Sequence, residues 1–163
     1  MTDTLAFLRY RVSKLSQNPY LNVEDEDSDA IHPFDERNIH PEIRKHSLAL
    51  FDDGHYSQAT FEAFKYVDNR VKKAARVNLT GEKLMMAVFS EDTPKISLNG
   101  LTTTSDKDEQ RGYRFIFAGS VIAIRNPRGH EVNHPETTDA CLDHLSLASL
   151  LLRRVDQAIG PVV

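Results

Sequence analysis

Apolar residues recur every three or four positions along much of the chain, which is the spacing of one face of an α-helix. The clearest run predicts a helix over residues 56–76, whose basic last turn complements the helix dipole. A second apolar stripe runs from residue 141 to residue 159 and predicts a helix that ends at Gly160-Pro161. Because Cys141 lies on that stripe, we expect a buried thiol and not a nucleophile. Similar spacing near the N-terminus predicts a short helix over residues 1–16.

Start and stop signals divide the rest of the chain into elements. The run Asn38-Ile39-His40-Pro41-Glu42 predicts a helix start, since proline suits the first turn and glutamate the positive end of the dipole. Gly54 predicts the end of that helix. The run His134-Pro135-Glu136 resembles the same signal and predicts the start of the last helix. Residues 80–89 are expected to form a shorter helix, and residues 92–104 a loop.

The segment 105–126 is the ambiguous one. Ser105 and Asp108 resemble a capping pair, whereas the aromatic and β-branched residues at 115–117 and 121–124 are typical of a buried strand. We predict a helix, because about twenty residues is much longer than a typical strand. The chain is therefore predicted to be all-α: an up-and-down helical bundle with four principal helices and short accessory helices.

The net charge of −4 of this 163-residue chain is concentrated near the N-terminus. Residues 1–37 hold 8 acidic and 4 basic residues, whereas residues 38–163 hold 16 of each. We therefore expect an N-terminal helix over 1–16, an acidic linker over 17–37 and a bundle domain over 38–163. The neutral bundle does not indicate nucleic-acid binding by charge alone. Only one cysteine is present and the longest apolar run is too short to cross a bilayer, so we expect a cytoplasmic protein without membrane association.

The segment 125–134 supports two different chemistries. The run His130-Glu131-Val132-Asn133-His134 matches the zinc-peptidase pattern H-E-x-x-H. Such a site requires both histidines on one face of a continuous helix, and the neighbouring prolines and Gly129 oppose that helix. A zinc hydrolase using His130, Glu131 and His134 is therefore the less favoured interpretation, and we expect neither a metal nor another cofactor.

The other interpretation is a metal-free site for a phosphodiester, formed by Arg125 and His130. Residues five apart on an ideal helix point about 140° away from each other. We expect the helix to end at Asn126 and the chain to turn through Pro127 and Gly129, so that His130 folds back beside Arg125. The Arg-x(4–6)-His spacing is common by chance, and Arg128 with His134 also satisfies it.

Three signatures in order along the chain make the pattern more specific. They are Asn38-Ile39-His40-Pro41, then Gly54-His55-Tyr56, then Gly119-Ser120 leading to Arg125-Asn126-Pro127-Arg128-Gly129-His130. With these, residues 38–159 resemble the bacterial Ymh-type subgroup of the HEPN superfamily. The resemblance implies a small helical bundle, usually a dimer in which two Arg-x(4–6)-His motifs meet across the interface. It also implies metal-independent endoribonuclease activity, often in toxin–antitoxin or phage-defence systems, although some members only bind.

Carried over by residue, the resemblance makes Arg125 the motif arginine, Asn126 the polar residue after it and His130 the motif histidine. Histidine suits proton transfer to and from RNA, and arginine suits the charge that develops on phosphate. Arg128 and His134 are further candidates for substrate binding. We expect RNA cleavage that leaves 2′,3′-cyclic phosphate ends, a homodimer, and control by an antitoxin or defence-system partner. The alternative is a non-catalytic module that binds RNA, a nucleotide or a protein.

Overall fold

The computed structural model describes residues 31–130 and 134–160, and over these ranges the chain is helical without a strand. The predicted all-α bundle with four long helices and short accessory helices is confirmed. The helices are α1 (Pro33–Glu36), α2 (Pro41–Asp52), α3 (Tyr56–Ala75), α4 (Gly81–Val88), α5 (Thr104–Ser120), α6 (Asn126–His130) and α7 (Thr138–Ile159), and a π-helical segment (Val121–Arg125) connects α5 to α6. No helix of the described ranges is both long and apolar enough to cross a membrane.

The chain divides into two compact units, Met1–Ile39 and His40–Val163. The predicted helix over 1–16 and residues 17–30 of the predicted acidic linker lie outside the described residues. In the described part of the first unit, α1 begins at Pro33, and Nδ1 of His32 accepts the N–H of Phe34 at 3.0 Å. The second unit holds α2 to α7 and every candidate site residue.

The core of the second unit forms around α3, which packs against both α2 and α7. The apolar stripe predicted for α3 is buried from Ala59 to Val71 and half-buried at its ends, Tyr56 and Ala74. The stripe of α7 is buried except at its last position, where Ile159 is exposed. Cys141 is free and fully buried, as predicted. The buried members of the two stripes are Ala59, Ala63, Phe64, Val67 and Val71 on α3, and Leu145, Ala148, Leu152 and Val155 on α7.

The first helix start signal is confirmed, with a capping role for the histidine within it. Pro41 is the first residue of α2, and Nδ1 of His40 accepts the N–H of Glu42 at 3.2 Å. The backbone N–H of His40 donates to the hydroxyl of Ser149, which ties this helix start to α7. Gly54, with φ of +81°, lies between α2 and α3, where left-handed backbone favours glycine.

Two predicted helix starts were wrong by a few residues. The capping box of α5 consists of Thr103 and Asp106, two positions before the predicted pair. His134-Pro135-Glu136 does not begin α7, because Thr137 is the N-cap and its hydroxyl accepts the N–H of Ala140 at 3.2 Å. The helix begins later because the Glu136 side chain turns inward, where it pairs with Arg128.

Candidate functional site

The helix that carries the motif does not end where the sequence predicted. It continues through Pro127 and Gly129 to His130, so the predicted turn at these residues was wrong. A proline inside a helix lacks a donor and crowds the carbonyl four residues earlier. The backbone before Pro127 is widened into a π-turn, in which the N–H of Asn126 donates to the carbonyl of Val121. The widened turn thus relieves the crowding and lets the helical path continue.

Arg125, Asn126 and His130 nevertheless line one small pocket of about 110 Å³, together with Gly129 and Phe61. On a helix, residue 129 lies about 40° from residue 125, between the directions of residues 125 and 130. Because Gly129 has no side chain, the space between the arginine and the histidine stays open.

The Arg125 guanidinium has hydrogen-bonding capacity that the described residues do not use. Its Nη1 donates weakly to Oδ1 of Asn126 at 3.4 Å, and its Cζ lies 5.6 Å from the centre of the Phe61 ring. Its Nε is buried without a partner among residues 31–130 and 134–160. A buried donor without an acceptor is destabilising.

The contact between Gly129 and Phe61 requires glycine. A Cβ built on Gly129 would lie 2.8 Å from Cε2 of Phe61, closer than real Cβ contacts allow. Phe61 belongs to α3, so through this close approach the short α6 packs against a long helix of the core. A five-residue helix has little stability of its own and depends on such contacts.

Arg128 also holds α6 in place, through a buried ion pair with Glu136. Its Nε lies 2.7 Å from Oε2 of Glu136, and only 5% and 1% of the two side chains are exposed. Its Nη1 donates to the carbonyl of Ile124 at 2.7 Å. The structure therefore engages Arg128 inside the protein, and substrate binding by Arg128 stays a prediction.

Glu136 is the centre of a polar network that the sequence interpretation missed. Its Oε1 accepts the hydroxyl of Thr60 at 3.0 Å and lies 2.6 Å from Nδ1 of His144. Burial alone would raise the pKa of Glu136, but the hydrogen bonds from His144 and Arg128 outweigh it, so the pKa lies below its ordinary value. The carboxylate is therefore charged, and it joins α3, α6 and α7.

A larger cleft of about 480 Å³ lies beside the motif pocket. Phe61 and Gly129 line both. The Arg128–Glu136 pair also lines the cleft, with His134 and with residues that connect α2 to α3 and form the first turn of α3. The latter are Gly54, His55, Tyr56, Ser57 and Gln58.

A model of one protein family matches residues 37–155, under the description "Protein of unknown function (Hypoth_ymh)". The chain belongs to the Ymh family. The matched range includes the whole of α2 to α6 and most of α7, so the motif pocket, the cleft and the Glu136 network all lie within the Ymh domain. No curated protein and no solved structure matches the chain. Membership of the HEPN superfamily stays a prediction.

The zinc-peptidase pattern of this Ymh domain does not have the helix that it needs. His130 is the last residue of α6, and residues 134–137 are not helical, while Glu131 lies outside the described residues. Among the residues that the structure describes, no three His, Cys, Asp or Glu side chains are grouped to hold a metal ion.

Two further titratable side chains of the Ymh domain, His40 and Cys141, have structural roles. Nε2 of His40 lies 3.2 Å from Oδ2 of Asp156, and burial lowers the pKa of His40, which favours a neutral capping residue. Burial raises the pKa of Cys141 to about 12, so this thiol is not a nucleophile near neutral pH.

Proposed function

We propose that this Ymh-family protein is a metal-independent endoribonuclease. The observation that supports it best is that Arg125 and His130 line one pocket, and that the buried Nε of Arg125 has no partner among the described residues. A phosphate in this pocket would accept from the guanidinium and lie beside the imidazole. Asn126 supplies a further polar group on the same surface.

The reaction uses the nucleophile that RNA itself carries. A base removes the proton of the 2′-hydroxyl, the 2′-oxygen bonds to phosphorus, and the bond from phosphorus to the 5′-oxygen breaks. An acid protonates the departing 5′-oxygen, which leaves a 2′,3′-cyclic phosphate and a 5′-hydroxyl end. His130 performs the proton transfers, and Arg125 stabilises the charge on the phosphorane.

A homodimer would supply the second histidine that a separate acid and base require. Large apolar side chains are exposed on the helical path that leads into the motif: Phe115 is 57% exposed, Ile116 44% and Ile122 48%. Exposed apolar side chains in such a group mark an interface. We propose that a second copy covers this face about a two-fold axis, which would bring the two motif pockets close together.

The cellular role that we propose follows from the resemblance to the HEPN superfamily. It is that of a cytoplasmic toxin or phage-defence effector, held in check by an antitoxin or another protein of the defence system. Growth arrest on induced expression, lost in the His130→Ala variant, would support this role.

The direct test is cleavage of single-stranded RNA in excess EDTA by the purified full chain. We expect 2′,3′-cyclic phosphate ends, and loss of cleavage in His130→Ala. His46→Ala is the matched control, because His46 is exposed on α2 and is not among the residues that line the motif pocket. Equal cleavage by wild-type and His130→Ala protein would refute the proposed chemistry.

A second candidate function is a non-catalytic module that binds RNA, a nucleotide or a protein. The equal numbers of acidic and basic residues over 38–163 favour it, because nucleases that grip long stretches of RNA carry a basic surface. RNA binding by the wild type without any cleaved product would select this alternative.

A further inference from the structure

We infer that the 480 Å³ cleft beside the motif pocket binds the nucleoside that flanks the scissile phosphate, and thereby selects the RNA position that is cut. This rests on the proposed function and assigns a specificity role to the first turn of α3. The residues of that turn, Tyr56, Ser57 and Gln58, lie outside the Arg-x4-His motif.

The volumes of the two cavities indicate which part of the substrate each one binds. The motif pocket, at about 110 Å³, suits a phosphate group but is far below the usual volume of a site for a larger organic ligand. The cleft, at about 480 Å³, lies within that usual range, roughly 300–1,000 Å³.

The two cavities adjoin each other, so one strand can occupy both. Phe61 and Gly129 line each of them, and Phe61 forms the wall between. A side chain at residue 129 would fill the space next to the ring, since its Cβ would already lie 2.8 Å from Phe61. A phosphate beside Arg125 therefore places its attached nucleoside at the mouth of the cleft.

The chemistry of the cleft suits an uncharged ring with polar edges more than a second anion. The Arg128–Glu136 ion pair neutralises itself, and Glu62, which also lines the cleft, pairs with Lys65, so neither adds an unpaired charge. Tyr56 and Phe61 offer aromatic surface on which a base can stack. Ser57 and Gln58 add a hydroxyl and a carboxamide, which can read the hydrogen-bonding edge of an unpaired base.

The first experiment measures binding separately from cleavage. Amide chemical shifts of the full chain are followed by NMR while each of the four nucleoside 5′-monophosphates, and separately inorganic phosphate, is added. We expect at least one nucleotide to shift the amide signals of Ser57 and Gln58, which line only the cleft, and inorganic phosphate to shift only residues of the motif pocket. Nucleotide shifts confined to Asn126 and His130, or no shift at all, would overturn the inference.

The second experiment uses a variant that leaves the motif untouched. Gln58 is exposed, so Gln58→Ala should not unfold the domain, and Asn69→Ala is its control, as an exposed amide further along α3. We expect Gln58→Ala to lower the affinity for the preferred nucleotide roughly 5-fold and to reduce the sequence preference of RNA cleavage. We expect Asn69→Ala to change neither the affinity nor the preference. An unchanged affinity and an unchanged cleavage profile in Gln58→Ala would count against the cleft.

Failure of the proposed function remains distinguishable from failure of this inference. If the wild type cuts no RNA but nucleotides shift the cleft residues, the nuclease proposal falls and the binding site stands. If the wild type cuts RNA with the same sequence preference as Gln58→Ala, the nuclease proposal stands and the cleft has no part in specificity.

Discussion

Arg128 and Glu136 form an ion pair at 2.7 Å that is almost completely buried and joins α6 to the segment before α7. Glu136 receives further hydrogen bonds from Thr60 and His144, so one carboxylate connects three helices. The motif helix is only five residues long, and this buried pair ties it to the segment before α7.

We predict that Glu136→Gln destabilises the protein by about 3 kcal/mol, because it leaves the Arg128 guanidinium buried without a counter-ion. Urea denaturation followed by circular dichroism measures the free energy of unfolding. Glu62→Gln is the control: Glu62 pairs with Lys65 at a far more exposed site, so its loss should cost less than about 1 kcal/mol. Similar small changes for both variants would contradict the structural role of the pair.

The same carboxylate should make stability depend on pH in acid. The pKa of Glu136 in the folded protein lies below its ordinary value of 4.5, so the unfolded state takes up the proton first. The stabilisation is present above the ordinary pKa and is lost as the pH falls through the lowered one. We expect the stability difference between wild type and Glu136→Gln to shrink as the pH falls from about 5 to about 3. A constant difference over that range would argue against a charged Glu136.

Gly129→Ala should destabilise the protein by about 1–2 kcal/mol, although alanine is the better helix former. The added methyl group would meet Phe61 at 2.8 Å and narrow the motif pocket. Gly112→Ala is the matched control, because this exposed glycine of α5 has no atom within 4 Å of a built Cβ. There we expect stabilisation of up to about 1 kcal/mol. Thermal unfolding measures whether the stability falls in Gly129→Ala and rises in Gly112→Ala, as expected.

Arg125→Lys should lower kcat/KM for RNA cleavage roughly 100-fold with little change in thermal stability. Lysine keeps the positive charge but loses the planar fork that binds two phosphate oxygens. Arg111→Lys serves as control, since Arg111 is exposed and pairs with Asp108 within its own helix. An unchanged kcat/KM in Arg125→Lys would show that the mechanism does not need the guanidinium.

Phe115→Asp should convert a dimer into monomers, because a buried, unpaired carboxylate in an apolar interface is costly. Analytical ultracentrifugation of the full chain measures the change in mass. Leu79→Asp is the control, as Leu79 is also an exposed apolar residue but lies between α3 and α4 and is not one of the three residues of the proposed interface. A monomeric wild type, or a dimer in both variants, would refute the proposed interface.

Local signals were enough to predict most of the fold. Helical spacing predicted the buried stripes of α3 and α7, because the period of 3.6 residues sorts side chains by face before any tertiary contact forms. The start of α2 was also predictable from local residues, since proline suits the first turn and glutamate the positive end of the helix dipole. The start of α5 was shifted by two residues because neighbouring residues offer equivalent caps, whereas the start of α7 was shifted because Glu136 turns inward.

The candidate site depended on contacts that no local pattern contains. The sequence by itself determined an all-helical chain and the order of Arg125, Asn126 and His130 within it. Only the tertiary structure decided that the helix passes Pro127 through a π-turn, and that Gly129 packs against Phe61. It also decided that Glu136 turns inward to Thr60, which is 76 residues away in sequence. Spacing reports which face of a helix a residue occupies, whereas the partner on that face is set by how the helices pack.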